Sequence, residues 1–247
     1  MSVEFEAPPI NEVVLGIYFE PITALKLETI GVYWDKIRAE FPTVTQNTPL
    51  RNLLTLPGEL FPLPRFWFIS KDETRLIQIQ RDAFLFNWRR RDTDYPRFFR
   101  IFPDFYSQFL QFESFLNDVL GVKGITRTAL ELTYVDVLGS AEAIESIRDY
   151  PKAVPTFSQI EIGSQRAVPQ GFNHNDVFQI SSEMQLSVVQ RTTHQLDNNE
   201  MSFFLELRAF GASTRSLDAW FSEAHDLIVQ TFTQITSDEV QKVWKKK

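Results

Sequence analysis

Residues 98–119 read FFRIFPDFYSQFLQFESFLNDV, and the spacing of the large apolar side chains in this stretch decides the fold class. Phe98, Phe102, Phe105, Phe109, Phe112, Leu116 and Val119 recur at alternating steps of four and three, the repeat of one face of an α-helix. A helix with a stripe built of phenylalanine has to lay it on another apolar layer. The spacing predicts a long helix from about Tyr95, disturbed at Pro103, because a proline inside a helix lacks the amide hydrogen and crowds the preceding turn.

The layer is found just upstream. Phe66 to Ile69, Leu76 to Gln80 and Phe84 to Trp88 are short apolar segments separated by Lys71-Asp72-Glu73 and Arg81-Asp82, polar connections of the length that joins antiparallel neighbours. Ile77 and Ile79, then Phe84, Phe86 and Trp88, alternate in phase, which implies one buried face. Further upstream, Val13 to Phe19 is a β-branched and aromatic run closed by Pro21, read as a strand. Leu27, Ile30, Trp34, Ile37 and Phe41 mark a helix over 25–41 that Pro42 ends. The interval 42–64 carries Pro42, Pro49, Pro57, Pro62 and Pro64 and is read as an ordered surface loop.

The second half follows a similar plan. Thr126 to Leu138 reads as a long strand, Ala141 to Asp149 as a short helix, and Thr156 to Ala167, Asp176 to Gln195 and Met201 to Phe210 as further strands, with a turn at Asp197-Asn198-Asn199. Leu217, Trp220, Phe221, Ala224, Ile228, Thr231 and Ile235 mark a C-terminal helix, with Ser216 or Thr214 as its cap. The expected class is α+β: antiparallel sheets each covered by a long amphipathic helix. The halves are read as pseudo-repeated helix-on-sheet subdomains, 1–124 and 125–247, within one continuous globular unit.

Composition narrows the function classes. The 247 residues are 43% hydrophobic and 23% charged, enough apolar surface to offset the entropy of ordering the chain. There are 23 Phe against 6 Tyr, 5 Trp and 9 Gly, which predicts a ring-filled core; the same rings could line a pocket for an apolar ligand. The absence of cysteine excludes disulfides, zinc ribbons, iron–sulfur centres and thiol nucleophiles. The N-terminus has neither the basic start nor the apolar run of a signal peptide, and no stretch approaches a membrane span, so a cytoplasmic protein is expected. A net charge of -7 opposes non-specific attraction to phosphate backbones, which disfavours a general nucleic-acid binder.

No Gly-x-Ser-x-Gly elbow and no glycine-rich phosphate loop occurs, and His174, His194 and His225 are isolated from one another in sequence. No cofactor and no metal site is predicted. His225 lies beside the apolar stripe of the C-terminal helix, where a half-buried imidazole is either a titrating group or a packed, hydrogen-bonded one. Asp92 and Asp94, with Glu73, have the spacing to touch a cation, yet they equally suit a solvated helix start. Glu131 and Asp136 stand five apart on one strand and face opposite sides, so they form no dyad there. The richest patch runs from Asn87 to Arg100, where Arg89, Arg90, Arg91, Arg97 and Arg100 stand among Trp88, Tyr95, Phe98 and Phe99. Such a mixture builds protein interfaces or stacks single-stranded nucleic acid, unless Asp92 and Asp94 neutralise the arginines. Lys242 and Lys245 to Lys247 form a basic tail suited to a helix C-terminus.

Several of these segments also resemble a sporadically distributed bacterial family of uncharacterised proteins. The similarity runs through Pro8-Pro9-Ile10-Asn11-Glu12-Val13-Val14-Leu15-Gly16-Ile17 with Phe19 and Pro21, Ile77-Gln78-Ile79-Gln80, Phe84-Leu85-Phe86-Asn87-Trp88, and Tyr95-Pro96. It continues through Tyr134-Val135-Asp136, Ala224-His225, Ile228, Phe232, Thr236 and Trp244. Asp136 stands where the family's strand usually carries asparagine, so an amide-specific role does not transfer. The resemblance implies carriage on mobile gene clusters for defence or toxin control. The expected function is then a non-enzymatic interaction protein, a regulator or accessory subunit with a protein partner encoded nearby, with a homodimer permitted by the aromatic surface. Two other readings are a Phe-lined binder of apolar small molecules, and a phosphodiesterase or nuclease built on Asp92, Asp94, His225 or Glu131.

Overall fold

The computed structural model describes residues 4–50, 62–157, 170–194, 201–212 and 214–245. In chain order the elements are β1 (Ile10–Phe19), α1 (Leu27–Ile37), β2 (Thr43–Asn47), β3 (Arg65–Ile69), β4 (Arg75–Gln80), β5 (Ala83–Arg89), α2 (Phe98–Leu120) and β6 (Arg127–Leu138). They continue with α3 (Tyr150–Ala153), β7 (Asn173–Ser181), β8 (Met184–His194), β9 (Met201–Gly211), α4 (Leu217–Ile235) and α5 (Asp238–Val243). The fold is α+β. Its described strands make one antiparallel sheet, in the order β2-β3-β4-β5-β1-β6-β9-β8-β7, where separate sheets were expected. By its internal contacts the chain divides into two compact units.

One unit takes in residues 12–131 and 211–214. Val13, Leu15 and Ile17 of β1 stand across from Trp88, Phe86 and Phe84 of β5, and Phe86 and Phe84 stand across from Ile77 and Ile79 of β4. All eight are buried, as the period-two alternation requires. Phe84 meets Phe105, Phe109 and Phe112 of α2 with ring centroids 6.4, 5.6 and 5.3 Å away. Tyr33 of α1 lies 5.7 Å from Phe68, 5.6 Å from Phe112 and 5.1 Å from Phe115. Each such ring contributes about 1.5–3 kcal/mol by burial, with a further ~0.5–1.5 kcal/mol for a well-oriented pair.

The opposite side of the same strands is polar. Gln78 donates to Asn87 at 2.7 Å and Asn87 to Glu12 at 2.7 Å, while the Tyr18 hydroxyl donates to Glu131 at 2.7 Å. Gly16 sits beside that last pair, and a Cβ there would lie 3.3 Å from the Glu131 Cβ. The Arg81-Asp82 hairpin turn holds an arginine that is fully buried, its guanidinium pointing at the Leu25 carbonyl from Nε and Nη2 at 3.4 Å.

The other unit takes in residues 1–11, 132–210 and 215–247. Phe203, Leu205, Leu207 and Ala209 of β9 alternate inward, opposite Thr192, Gln190, Val188 and Leu186 of β8. α4 buries Trp220, Phe221, Ala224, Ile228 and Phe232, and its cap is Ser216, which accepts from the Ala219 amide at 3.3 Å. Tyr150 gathers Phe157, Phe172 and Phe203 at 5.2, 5.0 and 5.7 Å. The chain ends are tied to each other: the Ala7 amide donates to the Trp244 carbonyl at 3.1 Å, and Phe5 packs on Phe232 and Trp244 at 5.6 and 6.0 Å.

Four local readings need correction. The proline-rich interval contains β2, paired to β3 from Thr43↔Ile69 to Asn47↔Arg65, because Thr43, Val44 and Thr45 are β-branched and the strand fits between Pro42 and Pro49 with no proline inside it. The long helix starts at Phe98 rather than near Tyr95, since Pro96 biases Tyr95 to extended backbone and Arg97, the N-cap, has φ 79°. Residues 141–149 form short turns instead, a tight one at Ser140–Glu142 and another closed by the Asp149 amide on the Ser146 carbonyl at 3.0 Å, and the helical turn comes later at Tyr150–Ala153, where Pro151 suits a first turn. The described part of the expected strand 176–195 is two strands joined at Ser182-Glu183, with the Glu183 amide donating to the Ser181 hydroxyl at 3.2 Å. Residues 158–167 of the expected strand and the Asp197-Asn198-Asn199 turn lie outside the described residues.

Candidate functional site

The arginine-rich segment begins inside the sheet and ends on the helix. Trp88 is buried and meets Tyr95 edge-on at 5.4 Å, so both aromatics serve packing. Arg89 donates to the Glu73 carbonyl at 2.9 Å, and the Arg91 Nε lies 3.4 Å from the Glu73 carboxylate. Burial, and next to it the Arg91 charge, hold the Arg89 guanidinium below its ordinary pKa. Asp92 and Asp94 are exposed, and the carboxylate that Arg91 reaches is Glu73. Glu73 can do this because the β3–β4 turn is locked: Asp72 accepts from the Ser70 hydroxyl at 2.6 Å, and from the Thr74 amide and hydroxyl at 3.1 and 2.8 Å. Those bonds bring its carboxyl down to about 2. The recess beside this turn, about 530 Å³ and open, is lined by Ala39, Glu40, Lys71, Asp72 and Arg75, where Arg75 pairs with Glu40.

Beyond the turn, Arg97 lies over the Tyr95 ring at 6.0 Å, and α2 begins. Its outward side carries what the sequence reading missed: Phe99 is 67% exposed, Tyr106 41% and Leu110 45%. Phe102, half-buried, stacks on Tyr106 at 6.1 Å and joins them into one stripe. The signal was present, since 99, 102, 106 and 110 are also one helical face, but the Phe98-to-Val119 repeat beside it masked it.

His225 belongs to the unit of residues 132–210 and 215–247, with the arginine segment in the other. Its Nδ1 stands 2.9 Å from the hydroxyl of buried Tyr134, ring centroids 5.9 Å apart. Burial holds its pKa below the ordinary imidazole value, against the pull of Asp226. The packed, hydrogen-bonded reading fits this geometry. Asp136 is buried; burial first, and then the Asp136 charge, push the Tyr150 hydroxyl up, while Glu131 accepts from Tyr18. His174 pairs with Asp176 at 3.4 Å. Among the described residues no three His, Asp or Glu side chains gather as metal ligands. Of the basic tail, Lys245 reaches Glu6 at 3.2 Å.

Further exposed apolar side chains lie on β7, the last described strand in the sheet order: Phe178 and Ile180 on one face, 50% and 43% exposed, and Val177 on the other, 59% exposed. β7 pairs with β8 from Asn173↔Arg191 to Gln179↔Gln185, and the register then shifts before Ser181. Among the described residues no helix is long and apolar enough to cross a membrane. No family model matches the chain, and no curated protein matches it.

Proposed function

We propose that the protein is a cytoplasmic, non-enzymatic interaction protein, a regulator or accessory subunit whose partner is encoded nearby in a mobile bacterial defence or toxin-control cluster. The observation that carries the reading is β7: the last of the described strands in the sheet order, with three exposed apolar side chains. Laid along β7, an extended segment of a partner would take Phe178 and Ile180 into its alternate side-chain sites. The gene-cluster context rests on the family resemblance. Affinity capture from the native host is expected to recover one stoichiometric partner with the wild type and to lose it with Phe178→Glu. Equal recovery by both, or no stoichiometric partner at all, counts against the reading.

The finer architecture belongs to the same proposal. We read the halves as pseudo-repeats in which a leading strand pairs with the last strand of a meander and a long helix follows. Support comes from the strand order, where β1-β5-β4-β3 is matched by β6-β9-β8-β7. The ring contacts of Phe84 with α2 and of Tyr134 with α4 support a helix laid over each set of strands.

A further inference from the structure

The two ends of α2 are made differently. At its C-terminus Gly121 takes the left-handed conformation, its amide donates to the Asn117 carbonyl at 3.1 Å, and the Val122 amide donates to the Leu116 carbonyl at 3.0 Å. At its N-terminus the cap is Arg97, whose side chain makes no cap hydrogen bond and whose φ 79° and ψ 151° form a combination essentially restricted to glycine. The first turn has no acidic residue and carries Arg100, a cation at the positive end of the helix dipole. Pro103 then deprives the Phe99 carbonyl of the amide that would bond it. The chemistry that favours a helix start lies at Pro103 itself, where proline suits the first position and Asp104 puts a carboxylate into the first turn. Burial divides the helix at the same place: Ile101 is buried before the proline, and Phe105, Gln108, Phe109, Phe112, Phe115 and Leu116 after it. Phe98 and Phe102 are half-buried with ring centroids 5.8 Å apart, while Phe99, Arg100 and residues 91–94 are exposed.

We infer that the first turn of α2 is a conformational switch: residues 98–102 unwind as one unit together with the connection 90–97, and the helix then starts at Pro103. Opening exposes Ile101 and parts the Phe102 ring from Phe105, 6.0 Å away in the closed form. Against those losses, it frees Arg97 from its glycine-type backbone, Arg100 from the positive helix end and the first turn from the crowding of Pro103. So small a set of closing contacts, opposed by three strained or mismatched features, opens far more often than the whole chain unfolds. The switch decides which of two surfaces the chain presents. Closed, Phe99 joins Tyr106 and Leu110 on one helical face; open, that face begins at Tyr106, and 90–102 is an extended run bearing Arg90, Arg91, Arg97 and Arg100. It is independent of β7, which belongs to the other compact unit.

Hydrogen exchange of the purified full-length protein, read amide by amide at several low denaturant concentrations, tests this without any partner. The amides of Arg100, Ile101, Phe102, Asp104 and Phe105 lose their helical acceptors in the open form, so they should share one protection factor that low denaturant leaves nearly unchanged. That factor is expected to lie at least about a hundredfold below those of Phe109, Phe112 and Leu116. Arg97→Gly accepts the cap conformation without strain and should raise the shared factor at least about threefold. Phe102→Asp gives the shorter helix a cap and should lower it at least about threefold more than Phe102→Ala, which removes the same ring. Protection that climbs residue by residue, as in ordinary fraying, or that is equal along α2 overturns the inference. So does an Arg97→Gly variant without gain, or a pair of Phe102 variants that match.

Discussion

Single residues show how closely the polar side of the first sheet region is fitted. Tyr18 and Glu131, 113 positions apart, meet at 2.7 Å beside Gly16, where a methyl group would crowd Glu131 and Leu85. Tyr18→Phe removes a donor from a buried carboxylate and should cost about 1–3 kcal/mol in urea denaturation. His225 makes a pH-dependent contribution. In the unfolded chain it titrates near 6.5, whereas burial lowers that value in the fold. Below about pH 6.5 the unfolded state therefore takes up a proton that the native state resists, and stability falls as the pH drops. His225→Gln keeps a hydrogen-bonding partner for Tyr134 but cannot titrate. The stability lost between about pH 7.5 and 5.5 should be smaller in this variant than in the wild type, by denaturant titration at both pH values. The burial of Arg81 was not legible: in sequence it is one of two polar residues in a hairpin turn, and only the docking of the 22–25 segment over that turn removes it from water.

At the scale of elements, periodicity carried the reading as far as side chains on one face repeat within one segment. α2, α4, β5 and β9 emerge from their own residues, because a helix or strand that must bury one face writes that face at its own period. β2 escaped notice because its five residues are too few to show a period and the flanking Pro42 and Pro49 dominate the window. The β7–β8 turn escaped because Ser182-Glu183 carries none of the glycine, asparagine or proline that normally announces a hairpin. Pro103 lies inside α2, in its second turn, where its missing amide hydrogen leaves a carbonyl of the preceding turn without its helical donor. Pro103→Ala restores that bond at the expense of a freer unfolded chain, and a net gain of about 1–2 kcal/mol is expected. Calorimetry should register a rise in Tm of a few degrees; an unchanged or lower Tm would mean the proline is not resisted by its turn.

Across the whole molecule, the segments around Phe5 and Trp244 meet in one compact unit. Trp244 is buried against Phe5 and Phe232, and its indole nitrogen donates to Glu142 at 2.9 Å. Trp244→Ala should destabilise by about 3–5 kcal/mol through the cavity it leaves. In a double-mutant cycle Phe5→Ala and Trp244→Ala should be coupled by about 0.5–3 kcal/mol, since they share one cluster. Additive effects would show that the N-terminal segment is not held there. The α+β class, the antiparallel meanders and the two long helices follow from the sequence by itself, because local periodicity and turn chemistry act within a few residues. Which strands become neighbours, the joining of Phe5 to Trp244, and the exposure of Phe99, Tyr106 and Phe178 were decided only by the tertiary structure. Each depends on segments far apart in the chain finding a common register, and on which apolar faces are left over once the core is filled.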